Sequence, residues 1–541
     1  MVHVEHVGPA AVPEEARPHL VRMRDGVRLA TDVYLSGAGE PGPTVLIRLP
    51  YDKTGTYTFV PQVAGYLTAR GYHVVAQDVR GKFRSEGETL LFVNEAADGY
   101  DTIDWVARQP FSDGVVGMWG DSYYGYTQLA AVSTGHPALR AISPRVTGTR
   151  LGELPVDVPG EPTRAVEMFV SRLYPCTYYH GRDVYQWVPD WSRRPFAASV
   201  EEFFEQVGSR SASWDQWFPH PVLLRRFPFG HPFDAPAIPV LLTIGWWDNC
   251  APWQWSDHDR IARGGAWSLL EHLVIEPIDH ENNYLPDDDG QAPKATLSDM
   301  LDPTVEFFDV HLRGLRPAGS IPRVRWTLAR TGEVRESESW PPPGVVPVDL
   351  HLTADGRLAG EAEAAGGPAE LTWVHDPDDL VPSPTANAFD FLNPMPDERA
   401  WADRDDVLVF DGPPTEADDD LVGGARLTVT VSSSGPRMDV FARLLDVRPD
   451  GAAHLVARGQ VHVVDASAPQ AVELDLGQLG YRLRAGHRLR LHVASSDFPE
   501  YVPQPGTGEH PWLAVDVARN TQRLGLGDVQ ARLRLHRLPP G

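Results

Sequence analysis

The sequence is poor in cysteine and in long hydrophobic runs. Its 541 residues include 2 cysteines, Cys176 and Cys250, so at most one disulfide can form and a disulfide-stabilised scaffold is excluded. No apolar run reaches the ~20 residues of a membrane-spanning helix, and the first residues lack the basic and apolar segments of a secretory signal. We therefore expect a cytoplasmic protein with no membrane partner.

Positive charge is also scarce. The chain has 48 lysines and arginines against 74 aspartates and glutamates, a formal net charge of −26. Such a surface repels phosphate backbones and no basic stripe reverses this locally, so we expect no nucleic-acid partner. The acidic runs at 287–289 and 418–420 are interpreted as exposed loop charge. We expect no metal and no cofactor, and self-association into a homo-oligomer stays open.

The remaining composition is that of a packed globular protein. Hydrophobic residues make up 42% and charged residues 23% of the chain, and its length exceeds the roughly 250–300 residues that one hydrophobic core supports. Short apolar runs followed by turns alternate with helical patterns over the first 300 or so residues. These runs, typical of buried parallel strands, lie at 44–50, 72–78, 115–120, 140–145 and 238–245.

Two later changes of pattern divide the chain. Residues 150–236 become helical and aromatic, with Phe169, Tyr174, Tyr178, Tyr179, Tyr185, Trp187, Trp191, Trp214 and Trp217. We interpret this segment as a helical cap inserted into an α/β core formed by residues 1–149 and 237–318. Period-two strands at 425–434, 438–447, 487–497 and 529–538 predict that residues 319–541 form an all-β sandwich or jelly roll. The cap aromatics serve packing or line an acyl pocket, and packing is favoured for any single one.

The stretch Gly120-Asp121-Ser122-Tyr123-Tyr124-Gly125 carries the main chemical signal. It joins an apolar strand to a helical pattern, as in a nucleophile elbow, where a sharp turn exposes the serine and the next backbone N–H, here that of Tyr123, faces an oxyanion. The motif departs from G-x-S-x-G because Tyr124 occupies the second glycine position. An ordinary helix-capping serine is the alternative interpretation.

The order of later residues favours the elbow. A hydrolase triad of this kind runs serine, acid, histidine along the chain. Asp248 follows the strand at 238–245, and His280 follows an apolar run beginning at 271. Both positions lie at the carboxyl edge of the predicted sheet, where such sites form. We prefer His280 over the histidines in unsuitable elements, which are His258, His272 and His311.

These residues and several others resemble the cocaine esterase and X-Pro dipeptidyl-peptidase family of hydrolases. Matching stretches are 120–125, 48–53, 78–81, 85–87, 245–248, 307–312 and 495–499. The resemblance implies an α/β-hydrolase core, a helical cap and a C-terminal jelly roll. It also implies that the Tyr51 hydroxyl completes the oxyanion hole beside the Tyr123 amide.

One departure from the family concerns the histidine. Its usual Gly-Pro-Trp-x-His context is replaced here by Glu276-Pro277-Ile278-Asp279-His280. We expect the flanking carboxylates of Asp279 and Glu281 to raise the pKa of His280.

The sequence therefore predicts a serine hydrolase acting through an acyl-enzyme on a small-molecule ester or amide. A carboxylic ester with a bulky or aromatic acyl group is preferred, with Trp246 and Trp247 as apolar pocket walls. The alternatives are an X-Pro dipeptidyl-peptidase, an amidase, a β-lactam or amino-acid ester acylase, and an enzyme of acyl transfer or cyclisation. A carbohydrate-binding protein with an inert hydrolase core is the non-enzymatic alternative.

Overall fold

The computed structural model describes most of the chain in three parts: a sheet covered by helices, a helical cap and a β-sandwich. The described residues are 3–5, 9–37, 41–152, 165–178, 184–187, 189–219, 226–286, 291–360, 369–526 and 531–539, without the side chains of 3–5, 170–171 and 184–186. Tyr179 and the acidic run at 287–289 lie outside these residues, as does the side chain of Tyr185. No helix within them is long and apolar enough to cross a membrane.

The core is a ten-stranded mixed sheet. Its strands are β2 (Ala16–Arg22), β3 (Arg28–Tyr34), β4 (Gly42–Leu49), β5 (His73–Asp78), β6 (Ser112–Asp121), β7 (Leu139–Arg145), β9 (Val240–Gly245), β10 (Glu271–Glu276), β11 (Val324–Leu328) and β12 (Glu333–Ser337). They are arranged in the order β12-β11-β10-β9-β7-β6-β4-β5-β3-β2. Pairing is parallel from β5 to β11 and antiparallel at both edges. Each strand predicted in this part overlaps an observed one.

Helices cover both faces of this sheet. They are α1 (Val60–Thr68), α2 (Glu95–Ala107), α3 (Ser122–Val132), α7 (Ala251–Ala262) and α8 (Leu297–His311). Side chains of α2, α3 and α7 bury one face, and those of α1 and α8 bury the other. The nearly continuous burial of β4, β5 and β9 follows from this double cover. The carboxyl ends of the parallel strands stay free to carry polar turns.

The cap contains α4 (Phe169–Thr177), α5 (Phe196–Val207), α6 (Ala212–Trp217) and a short antiparallel pair of β1 (His3–Glu5) and β8 (Val184–Gln186). Several of its aromatic side chains pack together and against Trp512 of the C-terminal part, among them Phe169, Trp191 and Trp214. The Phe169 ring centroid lies 5.1 Å from that of Trp512. The cap is thus attached to the β-sandwich as well as to the core.

The C-terminal part is a sandwich of two antiparallel sheets. One contains β13 (Val346–Leu352), β14 (Leu358–Ala359), β15 (Glu370–His375), β17 (Asp419–Ser433), β20 (Gln470–Leu483), β22 (Asn520–Gly525) and β23 (Arg532–Arg537). The other contains β16 (Leu408–Asp411), β18 (Arg437–Val447), β19 (Ala453–Val464) and β21 (Arg488–Ala494). Alternating apolar side chains of both sheets form a shared core, as the period-two pattern predicts.

The division between core and sandwich differs from the expected boundary at residue 319. β11 and β12 lie beyond that position, yet β11 pairs in parallel with β10 and β12 pairs with β11. Alternating short strands look the same at the edge of a mixed sheet and in a sandwich, because periodicity reports which face is buried and not which strand is the neighbour. The core sheet therefore extends to Ser337.

Candidate active site

Ser122 lies on a sharp turn between β6 and α3. Its backbone φ is 52°, a left-handed conformation that is strained for a residue with a Cβ and is typical of functional turns. The turn needs close packing on both sides. A Cβ at Gly120 would lie 2.1 Å from the Tyr124 ring, and a Cβ at Gly125 would lie 2.6 Å from Thr147. The elbow therefore requires glycine at position 125, one residue later than in the G-x-S-x-G pattern. The sharp turn predicted for Ser122 is present.

His280 joins Ser122 to Asp248. The Nδ1 atom of His280 lies 2.7 Å from Asp248 Oδ1, and its Nε2 atom lies 2.9 Å from Ser122 Oγ. In the tautomer this requires, Nδ1–H donates to the carboxylate and the serine hydroxyl donates to Nε2. Asp248 is held by its own turn, in which the Cys250 N–H donates to Oδ1 at 3.0 Å. The three side chains predicted from the sequence are therefore brought together.

The other histidines that the sequence offered have different partners. His258 lies 3.0 Å from Glu271, His272 lies 2.8 Å from the Pro322 carbonyl oxygen, and His311 packs on Phe307. Of the four histidines that the sequence offered, His280 is thus the one whose ring lies at hydrogen-bond distance from Ser122.

The environment of His280 raises its pKa well above the ordinary value. Burial opposes protonation, but the neighbouring Cys250 sulfur and the carboxylate of Asp248, which lies 2.7 Å from Nδ1, outweigh it. A raised pKa of His280 was expected, but from the flanking carboxylates of Asp279 and Glu281, which are not its cause. Asp279 is turned away to hydrogen bond with Asn283 and Leu392, and Glu281 binds Tyr57. The sequence did not predict the contact between Cys250 and His280, because the position of a cysteine in the chain does not indicate which distant side chain it will contact.

Tyr51 and Tyr123, the two tyrosines predicted to form the oxyanion hole, lie beside Ser122. The Tyr51 hydroxyl lies 3.0 Å from that of Tyr174. Burial raises the pKa of Tyr51, and the hydrogen bonds with Tyr174 and Ser122 offset only part of that rise. Tyr51 thus stays protonated and able to donate. The Tyr123 N–H belongs to the first turn of α3, where backbone donors have no partner within the helix. Its side chain is buried and donates to Glu95 at 2.8 Å.

A cavity of about 390 Å³ opens above Ser122. Its aromatic lining comes from the core, the cap and the sandwich: Tyr51, Tyr57, Phe59, Phe92, Trp119, Tyr124, Tyr174, Tyr178, Trp253 and Phe389. Tyr174 and Tyr178 are among the cap aromatics that the sequence offered for either packing or an acyl pocket. Phe389 had no sequence signal, because it comes from a loop of the sandwich.

Trp246 and Trp247 were expected in the pocket wall, and this expectation is wrong. Trp247 is buried in the sandwich core and donates its Nε1–H to the Leu455 carbonyl oxygen at 3.0 Å. Trp246 stacks on Trp255 and donates to the Thr327 carbonyl oxygen at 3.1 Å. The turn after β9 directs both rings to the contact between core and sandwich, while the Asp248 carboxylate lies against His280 Nδ1.

Three potential metal-ligating side chains meet at the triad. Asp248, Cys250 and His280 place potential ligand atoms within 4.8 Å of one another, but both ring nitrogens of His280 already hydrogen bond with Asp248 and Ser122, so coordination would displace one of them. The acidic residues Asp419 and Asp420 form ion pairs with Arg537 and Arg482 and are not simply solvated charge. Cys176 and Cys250 are both free.

Comparisons with known proteins find relatives over most of the chain. Residues 25–154 match the model of the X-Pro dipeptidyl-peptidase (S15) family, and residues 318–528 match that of the X-Pro dipeptidyl-peptidase C-terminal non-catalytic domain. Cocaine esterase of Rhodococcus sp. (strain MB1 Bresler) is 31% identical over 534 residues, which cover 90% of this chain and 92% of that protein.

Solved structures share the complete fold. An aminopeptidase from a marine sediment archaeon, Thaumarchaeota archaeon, has a TM-score of 0.80 at 22% identity, covering 98% of this chain and 99% of the other. An α-amino acid ester hydrolase has a TM-score of 0.79 at 23% identity, covering 98% of both chains. Together with the elbow, the hydrogen-bonded serine, histidine and aspartate, and the paired domains, these matches place the chain in the cocaine esterase and X-Pro dipeptidyl-peptidase (CocE/NonD) family of serine hydrolases.

Proposed function

We propose that the protein hydrolyses carboxylic esters through an acyl-enzyme formed on Ser122. His280 takes the proton of the Ser122 hydroxyl as the oxygen attacks the ester carbonyl, and later gives it to the leaving alcohol. Asp248 orients the imidazole and stabilises its protonated form. Water then attacks the carbonyl of the acyl-enzyme while His280 takes its proton. His280 returns that proton to the Ser122 oxygen as the acid is released. The observation that carries the proposal is the continuous hydrogen-bond chain of 2.9 and 2.7 Å through His280.

The oxyanion of each tetrahedral intermediate would rest on Tyr51 and on the Tyr123 N–H. The Tyr51 hydroxyl is held by Tyr174 from the cap, so its direction is fixed before substrate binds. A donor placed in this way costs no reorganisation during the reaction, which is why one such hydrogen bond is worth about 2.7–4 kcal/mol in the transition state.

The cavity favours a bulky or aromatic acyl group. Its walls are mostly aromatic rings that pack edge to face, such as Tyr51 against Tyr178 at 5.4 Å. The charged side chains Glu281 and Lys294 in its lining lie 3.7 Å apart and compensate each other. A neutral, apolar acyl group of an ester is therefore the ligand that these walls suit best.

Labelling with a fluorophosphonate probe tests the mechanism. We expect stoichiometric labelling of the wild type and none of Ser122→Ala, with a Ser133→Ala variant as the matched control because Ser133 caps α3 away from the cavity. Turnover of an aryl ester should exceed that of a Gly-Pro anilide. An unlabelled but folded wild type would contradict the proposal, and faster cleavage of the anilide would replace the esterase assignment with a peptidase.

A further inference from the structure

The turn that carries His280 is tightly closed. The Asp279 N–H donates to the Asn283 carbonyl oxygen at 3.1 Å, and the Asn282 N–H donates to the Asp279 carbonyl oxygen at 3.2 Å. Asn282 has a φ of 59°, an unusual conformation for a residue other than glycine. Such a conformation persists only where surrounding contacts hold it. The position of the imidazole thus depends on what fixes this turn.

On one side the turn is attached to the core beside the nucleophile. Asn282 Nδ2 donates to Asp121 Oδ2 at 3.0 Å, and Arg145 donates to Asn282 Oδ1 at 2.9 Å. Asp121 immediately precedes Ser122, so this contact relates the histidine turn to the elbow directly.

On the other side the turn is attached to the sandwich segment 388–392. The Glu281 N–H donates to the Phe389 carbonyl oxygen at 3.1 Å, and Asn283 Nδ2 donates to Asp390 Oδ1 at 2.6 Å. The ring centroids of Phe389 and His280 lie 4.9 Å apart. A domain that supplies none of the three predicted triad residues therefore touches both the imidazole and its backbone.

Asp279 is at the centre of this attachment, and its side chain is fully buried. Oδ1 accepts from the Asn283 N–H at 2.9 Å, and Oδ2 accepts from the Leu392 N–H at 2.9 Å. The Asn283 side-chain amide donates to both oxygens at 3.1 and 3.0 Å. All of these partners are donors, and two are backbone groups that cannot reverse. If an asparagine replaced Asp279, its NH₂ group would face one of these two backbone N–H donors in either orientation, and that hydrogen bond would be lost.

We propose that Asp279 is a positioning residue for His280, which acts by tying the histidine turn to the sandwich segment 388–392. This inference rests on the proposed role of His280. It assigns to the C-terminal domain a direct part in the geometry of the reaction, through a carboxylate that touches neither substrate nor reacting atoms.

Asp279→Asn tests the inference in the full-length protein. We expect kcat for an aryl ester to fall about 10²-fold, the loss typical of a ~1 Å misplacement, while KM stays within about threefold because the cavity walls are unchanged. The groups that raise the pKa of His280 are Cys250 and Asp248, so the acid limb of the pH profile is expected to keep its midpoint. A loss caused by charge removal would shift that limb instead and would contradict a positioning role.

Two further variants separate positioning from simple instability. Asp439→Asn alters another buried carboxylate of the sandwich, bonded to His462 and Gln504, and is expected to lower stability while leaving kcat unchanged. Asp390→Ala removes only the outer contact with Asn283 and is expected to lower kcat about three- to tenfold, the worth of one hydrogen bond. This variant provides the test if Asp279→Asn does not fold.

Fluorophosphonate labelling distinguishes the two proposals. Slower labelling of the Asp279 and Asp390 variants, with a normally labelled wild type, supports the inference. Wild-type kcat in Asp390→Ala, or in a folded Asp279→Asn, overturns it while the proposed function stands. An unlabelled wild type overturns the proposed function itself.

Discussion

At the scale of single residues, the environment of His280 sets the pH dependence of the reaction. A general base must be neutral, and kcat/KM reports the pKa of this base in the free enzyme. Because Cys250 and Asp248 outweigh the effect of burial and raise the pKa of His280, the protonated form persists to higher pH than in an isolated histidine. Activity is therefore expected to be lost earlier as the pH falls.

The measurement is a profile of kcat/KM against pH with an uncharged aryl ester. We expect the midpoint of the acid limb to lie above about 6.5, the ordinary value for histidine. A His258→Gln variant is the control, since His258 binds Glu271 at 3.0 Å and not the serine, and it should leave the midpoint unchanged. A midpoint at or below about 6 in the wild type would show that burial dominates.

At the scale of elements, the elbow between β6 and α3 depends on Gly125. A Cβ there would lie 2.6 Å from Thr147 Cγ2, and the Thr147 hydroxyl donates to the Ser122 carbonyl oxygen at 2.6 Å. Relief of the clash would move the residue that holds the serine. Gly125→Ala is expected to lower kcat about 10²-fold, measured together with the rate of fluorophosphonate labelling.

The matched control is Gly65→Ala in α1, where a Cβ would meet open space. Alanine in a helix interior is favoured over glycine by about 0.5–1 kcal/mol, so this variant should be as active as the wild type and slightly more stable. Equal activity of the two glycine variants would show that the elbow tolerates displacement of Thr147.

At the scale of the whole molecule, Trp246 joins the core to the sandwich. A Cβ at Gly480 of β20 would lie 2.5 Å from its ring, and the ring packs on Trp340 with centroids 5.4 Å apart. Trp246→Ala is expected to lower the free energy of unfolding by roughly 3 kcal/mol. This is the lower end of the range for truncation of a buried tryptophan, because the Trp246 side chain is partly exposed. Since Trp246 lies outside the cavity, KM should not change.

Trp253→Ala provides the contrast, because Trp253 lines the cavity. We expect a raised KM and a smaller fall in the urea midpoint than for Trp246→Ala. A raised KM in Trp246→Ala with unchanged stability would restore the pocket role that its sequence position suggested.

Local sequence patterns were enough to predict the fold class, the elbow and the order of Ser122, Asp248 and His280, because each of the three residues follows a short apolar strand and parallel strands end at one edge of a sheet. Local patterns did not predict the directions of Trp246 and Trp247, the membership of β11 and β12 in the core sheet, or the approach of Phe389 to His280. These depend on pairing and packing between segments far apart in the chain, which local patterns of hydrophobicity do not encode.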